Sequence, residues 1–496
     1  MGHDHKPEPH LSRQLGLLGL TATGICAMFG ASIYVVPFMI QRSVPGIGEY
    51  VLPAFLFAAL PALAAAMAYG ILASAMPRAG GSYIYASRGL SPYLGFIASF
   101  SQWFGLSIVI GVIAYVIVPF LRDIALGLQW VMLAGWLENG AVRVSLALAM
   151  IWLFVGINIR GVKAYERTLL PMMFLMFALG SIVIVAGFLF DHADFAAALQ
   201  AAEGRAPPTA EAGAFDWVVF LSAAAIMFSS FIGFDSIAQA GGEARNPSRN
   251  LPLAIGLAIV TVGGFYFLFA SAVYHAVPWP FVAEEALARD VSAPGMMAYL
   301  LPAGLSVAIL AGAAIALIND LPAMLLAVSR LMFAWAEDGI FPAGIARVHP
   351  RFHTPHLALA ASGVIASIGV LGSHFAGDFF LGIDIMVTAM MVNFLLMCVT
   401  LVCIPRVNPD MAGRIAVFKS TRLQALLGWT GALLLCGFLV VHVWKDMSSD
   451  VSAWYFHSTL VWLLVMAMGS VVFLVKFASL KGRGVDTVQL FKSLPE

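Results

Sequence analysis

The residues of this sequence with the clearest chemical potential are acids that lie in or beside long apolar stretches. Asp235 interrupts the stretch FSSFIGFDSIAQAGGEARNPSRNLP (residues 228–252), and Glu243 lies further along it. Asp320 stands directly after Asn319 inside another apolar run. A carboxylate in hydrocarbon is costly unless a cation, a proton or hydrogen-bond donors neutralise it. These acids therefore predict the handling of a cation or a proton in an apolar setting.

The motifs of several other chemistries are absent from the sequence. It contains no nucleotide-binding loop, no serine-hydrolase or zinc-hydrolase motif and no glycine fingerprint for dinucleotides. The four cysteines lie within apolar runs and form no CxxC pair. The histidines within 3–10 and 349–356 are interpreted as solvated or structural. We therefore expect no cofactor, no metal centre and no enzymatic activity.

The composition determines which elements must position the acids. Of the 496 residues, 61% are hydrophobic and 10% are charged, whereas soluble domains carry about 25% charged residues. The formal net charge is zero, so we expect no nucleic-acid partner. Twelve apolar runs, one of them extended past Asp320, reach or approach the roughly 20 residues that a helix needs to cross hydrocarbon. The sequence thus predicts an all-α polytopic protein with twelve transmembrane helices in a lipid bilayer.

The distribution of basic residues predicts the orientation of these helices. With both termini in the cytoplasm, most of the 26 lysines and arginines fall in cytoplasmic loops, as the positive-inside rule favours. The first apolar run is longer than the core of a signal peptide, so it is interpreted as the first span. We expect a multi-pass protein of the cell (inner) membrane.

Spans 1 and 6 both contain residues that weaken a helix. Span 1 carries Gly24 and Gly30 within TGICAMFGASIYVVP (23–37), and span 6 carries Gly233. Glycine costs a helix interior about 1 kcal/mol relative to alanine. In lipid, a broken backbone survives only where protein covers it or where it lines a cavity. Breaks five spans apart are typical of an inverted repeat whose substrate site lies between the broken helices.

Five segments, in the right order and at the right spacing, resemble the amino acid–polyamine–organocation superfamily of permeases. They are GASIYVVP (30–37), MPRAGGSYIYASRGLSPYLGF (76–96), NIRGVKAYER (158–167), GFDSIAQAGGEARNPSRNLPLAI (233–255) and SRLMFAWAEDGIFPAGIARVHPRFHTPHLAL (329–359). The likeness covers nearly the whole chain. It implies the leucine-transporter fold, a five-plus-five inverted repeat with broken helices 1 and 6 and two further helices.

The resemblance also implies a division of the chain. Residues 1–13 form a cytoplasmic tail, 14–190 the first repeat (helices 1–5), 191–215 an extracellular loop, 216–405 the second repeat (helices 6–10), 406–480 helices 11 and 12, and 481–496 a second cytoplasmic tail. Nothing in the sequence specifies an oligomer.

The resemblance further implies where a small-molecule substrate would bind. Its carboxylate is expected at backbone amides freed by the break in span 1, where a helix end favours an anion. These are the amides of Gly30, Ala31 and Ser32. Its ammonium is expected at freed carbonyls near Met28, Ser229 and Ile232. An aromatic lid is expected at Phe231 or Phe228.

The same resemblance suggests roles in gating or coupling for the acids. Asp235 is expected to flank the broken segment, in gating or proton handling. Glu243 is expected to form an ionic gate on the inner side together with Arg245 and Arg249. The paired glutamates often seen at this point in the family are here Gly242 and Glu243.

Three interpretations of Asp320 stay open. It binds Na⁺ with Asn319 and the span 1 backbone around Gly24 and Ala27, it takes up a proton, or it caps a neighbouring helix. Both ionic interpretations predict that Asp320→Asn keeps substrate binding but loses accumulation driven by an ion gradient. Many proton-coupled members carry a lysine in span 5, where this chain has a methionine or a phenylalanine, so coupling through a lysine is in doubt.

The leading hypothesis is a secondary active transporter of amino acids that works by alternating access with proton or sodium coupling. Span 3 offers Ser101, Gln102 and Ser107 but no acid for a cationic side chain, which favours neutral or small substrates. Amines, polyamines, cationic amino acids and substrate–product antiport are alternatives. An alternative of another class is a channel or a receptor-like membrane sensor on the same fold.

Overall fold

The computed structural model describes residues 11–30, 32–210, 213–376, 379–451 and 453–495, and this part of the chain is helical. The helices are α1 (Leu17–Met28), α2 (Ser32–Ser43), α3 (Val51–Ala75), α4 (Gly81–Gly89), α5 (Pro92–Gly127), α6 (Val131–Glu138), α7 (Gly140–Ile159), α8 (Val162–Leu189), α9 (His192–Glu203), α10 (Trp217–Met227), α11 (Ser236–Gln239), α12 (Pro247–Ala276), α13 (Trp279–Ala288), α14 (Ala293–Met297), α15 (Ala303–Glu337), α16 (His356–Ala376), α17 (Phe379–Val407), α18 (Pro409–Gly413), α19 (Thr421–Ser448), α20 (Ser458–Gly482) and α21 (Thr487–Leu490). Strand-like pairing in the described ranges is limited to two isolated bridges, Leu15 with Ala244 and Ala79 with Ala240.

Among the described residues, twelve segments are long and apolar enough to cross a membrane, which confirms the predicted all-α membrane architecture. Span 1 comprises α1 and α2. Span 6 comprises α10, a 3₁₀ turn (Phe228–Phe231) and α11. The other ten spans are, in chain order, α3, α5, α7, α8, α12, α15, α16, α17, α19 and α20. Span 8 is the single helix α15, which continues past Asp320 as the sequence indicated.

Span 1 is broken between α1 and α2. At the break the Gly30 amide donates back to the Met28 carbonyl at 3.0 Å, so the backbone leaves the helical path. A Cβ at Gly30 would stand 2.5 Å from Oδ2 of Asp320. The close approach of this carboxylate is the physical reason for a glycine at the break.

Span 6 is broken at Ile232 and Gly233. Ile232 is extended, with ψ of 133°, and Gly233 has φ of +134°, a conformation that residues with side chains rarely adopt. A Cβ on Gly233 would collide with the carbonyl oxygen of Ala27. The two breaks therefore touch each other, and glycine permits the contact.

The broken spans lie at the centre of the bundle. In span 1, 82% of the apolar stretch is buried inside the protein, against 17% in span 12. The helix α5 packs against α15, α16 and α17, while α12 packs against α1, α3 and α8. Helical protein thus covers the irregular backbone, as a lipid environment requires.

The helix bundle has two ends, the terminal face and the opposite face. The terminal face carries the bridge between Leu15 and Ala244, together with Ser493 near the carboxyl end. The opposite face carries α9 and α13, which Arg205 joins through ion pairs with Glu203 and Glu284. The predicted loop 191–215 thus contains the helix α9.

Candidate functional site

A cavity of about 130 Å³ lies where the two breaks face each other. Its polar end is formed by the breaks and by span 8, namely by Ala27, Met28, Gly30, Ser32, Ser229, Ile232 and Asp320. The rest of its wall is apolar, formed by Val35, Val36, Val109, Val112, Ile113, Val116, Phe120, Leu317, Met324, Ile383 and Met386. The cavity thus suits a small molecule with a polar end and an apolar body.

Fewer backbone groups are free at the breaks than the sequence predicted. The Met28 carbonyl accepts hydrogen bonds from the Gly30 amide at 3.0 Å and from the Tyr266 hydroxyl at 2.8 Å, which use both of its lone pairs. The Ser229 carbonyl accepts from the Ile232 amide at 3.2 Å. In this conformation the Gly30 amide, predicted to hold a carboxylate, and the Met28 carbonyl, predicted to hold an ammonium, thus have partners within the protein, and both roles stay predictions.

The first turn of α2 still offers amides to the cavity. α2 begins at Ser32, which lines the cavity, and the first N–H groups of a helix have no partner within that helix. The partial positive charge at the amino end of a helix favours an anion. The first amides of α2, at Ser32, can therefore hold a carboxylate. Ala31, which was also predicted to contribute an amide, lies outside the described residues.

Asp320 lies at the polar end of the cavity, in the middle of α15. The residue is 3% exposed, and its Oδ1 has no hydrogen-bond partner among the described residues. The described residues that line the cavity include no lysine, arginine or histidine. An unpaired buried carboxylate is expensive, so this group requires a cation or a proton.

The four residues of the predicted sodium site do not all face the cavity. Ala27 and Asp320 line it, whereas Gly24 and Asn319 do not. The Asn319 amide instead donates to Sγ of Cys26 at 2.9 Å. Within the described ranges, no group of three or more His, Cys, Asp or Glu side chains could hold a metal ion.

Neither ring predicted as an aromatic lid lines the cavity. The Phe231 ring packs against Phe55, with 5.0 Å between the centroids. The Phe228 ring lies 6.1 Å from that of Phe394 and 6.2 Å from that of Phe438. Both rings are buried in the packing around span 6.

Asp235 is buried beside the break in span 6, in a network of hydrogen bonds. Its Oδ2 accepts from the Gln102 side chain, and its Oδ1 accepts from the Gly233 amide at 3.2 Å. Gln102 in turn accepts from Ser82 at 2.6 Å and from Gln239 at 3.2 Å. Asp235 therefore has a donor on each oxygen, unlike Asp320, and the network ties span 6 to span 3 and to α4.

The polar residues predicted to face the site from span 3 all lie outside the cavity lining. Gln102 binds Asp235, and Ser101 donates to the Ala389 carbonyl at 3.0 Å. Ser107 is buried and has no hydrogen-bond partner in the described part of the chain. Span 3 contributes three valines, an isoleucine and a phenylalanine to the cavity instead.

A buried ion pair joins spans 6 and 8 at the terminal face. Arg330 donates to Glu243 at 2.6 Å and 3.2 Å, and the two side chains are 1% and 0% exposed. The Leu15 amide donates to the Glu243 carbonyl at 2.9 Å, which adds the segment before span 1. Arg245 and Arg249, predicted to share the ionic gate with Glu243, are exposed in this conformation. The positive charge that pairs with Glu243 is that of Arg330, which lies in span 8.

A second buried pair lies at the terminal face, between Arg88 of α4 and Asp338 at the end of span 8. Arg88 donates to both carboxylate oxygens, at 2.6 Å and 2.9 Å, and its Nε donates to the Ser493 carbonyl at 3.1 Å. Burial lowers the pKa of Arg88, but the bonds to Asp338 outweigh this effect and raise it above its ordinary value. The Phe491 ring lies 5.3 Å from the guanidinium. The carboxyl-terminal segment thus covers this pair.

Sequence reasoning missed three residues that define the site and its closure. Arg330 and Arg88 both stand in segments that carried the resemblance, and a charge inside such a segment was an available signal for a buried partner. Tyr266 had no such signal, because a tyrosine in an apolar span is most often part of the packing.

Known proteins resemble this chain along most of its length. The model of the family described as amino acid permease matches residues 15–476. An uncharacterized transporter of Mycobacterium tuberculosis (strain ATCC 25618 / H37Rv) is 26% identical over 363 residues, which cover 72% of this chain and 74% of the relative. Cationic amino acid transporter 4 of Homo sapiens is 26% identical over 377 residues, which cover 73% of this chain and 56% of the relative. The branched-chain amino acid permease BcaP of Bacillus subtilis (strain 168) is 26% identical over 232 residues, which cover 45% of each chain.

The family match covers both breaks and the first eleven spans and ends within the twelfth. It confirms the resemblance that the five motifs indicated. The chain therefore belongs to the amino acid permease family, within the amino acid–polyamine–organocation superfamily.

Proposed function

We propose that this permease is a secondary active transporter that moves amino acids with neutral side chains across the cell (inner) membrane by alternating access. The observation that carries the proposal is the cavity between the breaks of spans 1 and 6. Transporters built from inverted repeats bind their substrates between broken helices near the bilayer midplane. Both termini would lie in the cytoplasm, so the terminal face would be the cytoplasmic face.

The wall of the cavity supports an aliphatic substrate side chain. Asp320 is the single acid among the described lining residues, and it lies beside Gly30 at the polar end. A cationic side chain in the apolar part would leave its charge unpaired, which is costly. L-Leucine, L-isoleucine, L-valine and L-methionine are the expected substrates. One relative is named a branched-chain permease, whereas another is named a cationic amino acid transporter, which makes cationic amino acids and amines the alternative.

The proposed transport cycle is coupled to a proton or to Na⁺ through a buried acid. Asp320 and Asp235 are the candidates, and Asp320 is the one whose Oδ1 lacks a donor among the described residues. Asn319 does not line the cavity, and the absence of this second oxygen ligand beside Asp320 supports a proton more than Na⁺. Exchange of a substrate for its metabolic product is the alternative mode.

Counterflow in liposomes tests the proposed function. The purified protein is reconstituted in vesicles loaded with unlabelled L-leucine, and the entry of labelled L-leucine is measured against L-lysine and isopentylamine as competitors. Saturable, temperature-sensitive exchange that L-isoleucine inhibits more strongly than L-lysine is expected. Imposed proton and Na⁺ gradients then identify the coupling ion. A current that is insensitive to substrate, without exchange, would instead support a channel.

Enlarging Ser32 to leucine is expected to abolish binding of L-leucine while the protein still folds in the membrane. Ser32 lines the polar end of the cavity and begins α2, so a larger side chain would block access to the free amides. Binding is measured by calorimetry, and folding by the melting temperature and gel-filtration profile. Ser32→Ala, which leaves the amides accessible, is the matched control and should bind. Parent-like affinity in Ser32→Leu would contradict the position of the carboxylate.

A further inference from the structure

We propose that Asp320 binds the ammonium group of the substrate in the occupied cavity. The inference rests on the proposed function, because it takes the substrate to be an amino acid. In this proposal the negative charge of Asp320 pairs with the substrate, so removing the charge lowers the affinity for the substrate. If Asp320 acted in ion coupling alone, removing its charge would leave that affinity unchanged.

The first support is the state of the carboxylate itself. Asp320 is 3% exposed and lines the cavity, yet its Oδ1 meets no donor among the described residues. Asp235, which is also buried, accepts from Gln102 and Gly233. The charge of Asp320 must therefore be neutralised by a cation or a proton that enters the cavity.

The second support is that two of the three carbonyls expected to hold the ammonium, those of Met28 and Ser229, already accept hydrogen bonds. An ammonium group has three N–H donors to satisfy once it has left water. The Met28 carbonyl accepts two hydrogen bonds, one of them from Tyr266, and the Ser229 carbonyl accepts one from a neighbouring amide. In this conformation the carboxylate of Asp320 is a charged acceptor with free capacity at the polar end of the cavity, and charged acceptors bind an ammonium more strongly than carbonyls do.

The third support is the position of Asp320 relative to the amino end of α2. Its Oδ2 lies beside Gly30, close enough that a Cβ there would stand 2.5 Å away, and α2 begins two residues later at Ser32. One carbon of an α-amino acid carries both the carboxylate and the ammonium, so their binding groups must adjoin. A helix amino end next to a carboxylate meets this requirement.

The test uses three probes with the same branched carbon skeleton. L-Leucine carries both charged groups, isopentylamine lacks the carboxylate, and 4-methylpentanoate lacks the ammonium. Their binding to the purified full-length parent and to Asp320→Asn is measured by calorimetry. Asp290→Asn, which removes an 81%-exposed acid at the opposite face, is the control for loss of one negative charge.

The expected result is that Asp320→Asn weakens binding of L-leucine about 30-fold or more, because truncating one partner of a buried charge pair has an effect of this size. The parent should bind 4-methylpentanoate far more weakly than L-leucine, and Asp320→Asn should reduce that difference. Asp290→Asn should bind all three probes as the parent does.

Two results would overturn the inference. One is parent-like affinity for L-leucine in an Asp320→Asn variant that no longer accumulates it, which would restrict Asp320 to ion coupling. The other is equal binding of 4-methylpentanoate and L-leucine by the parent, a measurement that needs no variant and so holds if Asp320→Asn fails to fold. Tighter binding of isopentylamine than of L-leucine would support Asp320 as the ammonium acceptor and refute the amino acid substrate of the proposed function.

Discussion

Glu243→Gln is expected to open the terminal face and to lower the melting temperature of the protein. The substitution keeps the shape of the side chain but leaves the Arg330 guanidinium without its counter-ion, at a site where both side chains are at most 1% exposed. Removing one partner of a buried ion pair costs about 3–5 kcal/mol. If that cost falls on the closed conformation, the ratio of closed to open molecules drops by about two powers of ten or more.

A single cysteine at Ala240, in a chain whose four native cysteines are replaced, measures this opening. Ala240 is fully buried where it bridges to Ala79. A membrane-impermeant thiol reagent should label it slowly in the parent and rapidly in the Glu243→Gln variant. Asp290→Asn, which breaks the exposed pair with Arg42, should leave labelling unchanged, since such pairs contribute about 0–1 kcal/mol.

A double variant separates the effect of charge from that of shape. When Glu243 and Arg330 are both replaced by methionine, no charge is left unpaired, and most of the lost melting temperature should return. If the double variant is as unstable as Glu243→Gln, the uncompensated charge is not the cause of the instability.

Gly233→Ala is expected to abolish substrate binding and to destabilise the protein. The φ of +134° is strained for alanine, and the added methyl group would collide with the Ala27 carbonyl. Backbone strain and overpacking each cost about 1–3 kcal/mol. Relief of the collision would push the two breaks apart, and the cavity depends on their contact. Calorimetric binding of L-leucine and the melting temperature are the measurements.

Gly256→Ala is the matched control for this substitution. Gly256 lies inside α12, exposed on the outside of the bundle, and a Cβ there would have no neighbour within 4 Å. Alanine is the better helix former by about 1 kcal/mol, so the control should keep its binding and gain slightly in stability. Equal loss of binding in both variants would show that the contact between the breaks is not what matters.

The spans and the two breaks could be predicted from the sequence because both depend on local properties. A helix crosses hydrocarbon if its own residues are apolar, and Gly30 and Gly233 mark the breaks within their own spans. The position of Asp320 in the cavity also agrees with its expected proximity to span 1. These features can be predicted without knowing which residues from distant parts of the sequence lie beside them.

The partners of the polar groups could not be predicted, because they come from distant parts of the chain. Glu243 and Arg330 are 87 residues apart, and the Met28 carbonyl accepts from Tyr266, which lies 238 residues away. The sequence indicates that a carbonyl at the break lacks a partner within its own helix. It does not indicate that the hydroxyl of a tyrosine in span 7 donates a hydrogen bond to this carbonyl. For this reason the sequence could not indicate that the Met28 carbonyl already has partners within the protein.

The contact between Arg88 and the carboxyl-terminal segment has a consequence for how the chain is made. Synthesis begins at the amino end, so α4 emerges from the ribosome long before Ser493. Arg88 of α4 therefore has to wait for the Ser493 carbonyl that accepts its Nε–H. The last span ends at Gly482. A chain cut there would contain all twelve spans of the described residues and yet lack the Phe491 ring and the acceptor for Nε of Arg88. The terminal face is thus completed only after the twelfth span has been made, so a chain cut after Gly482 would leave Arg88 incompletely covered.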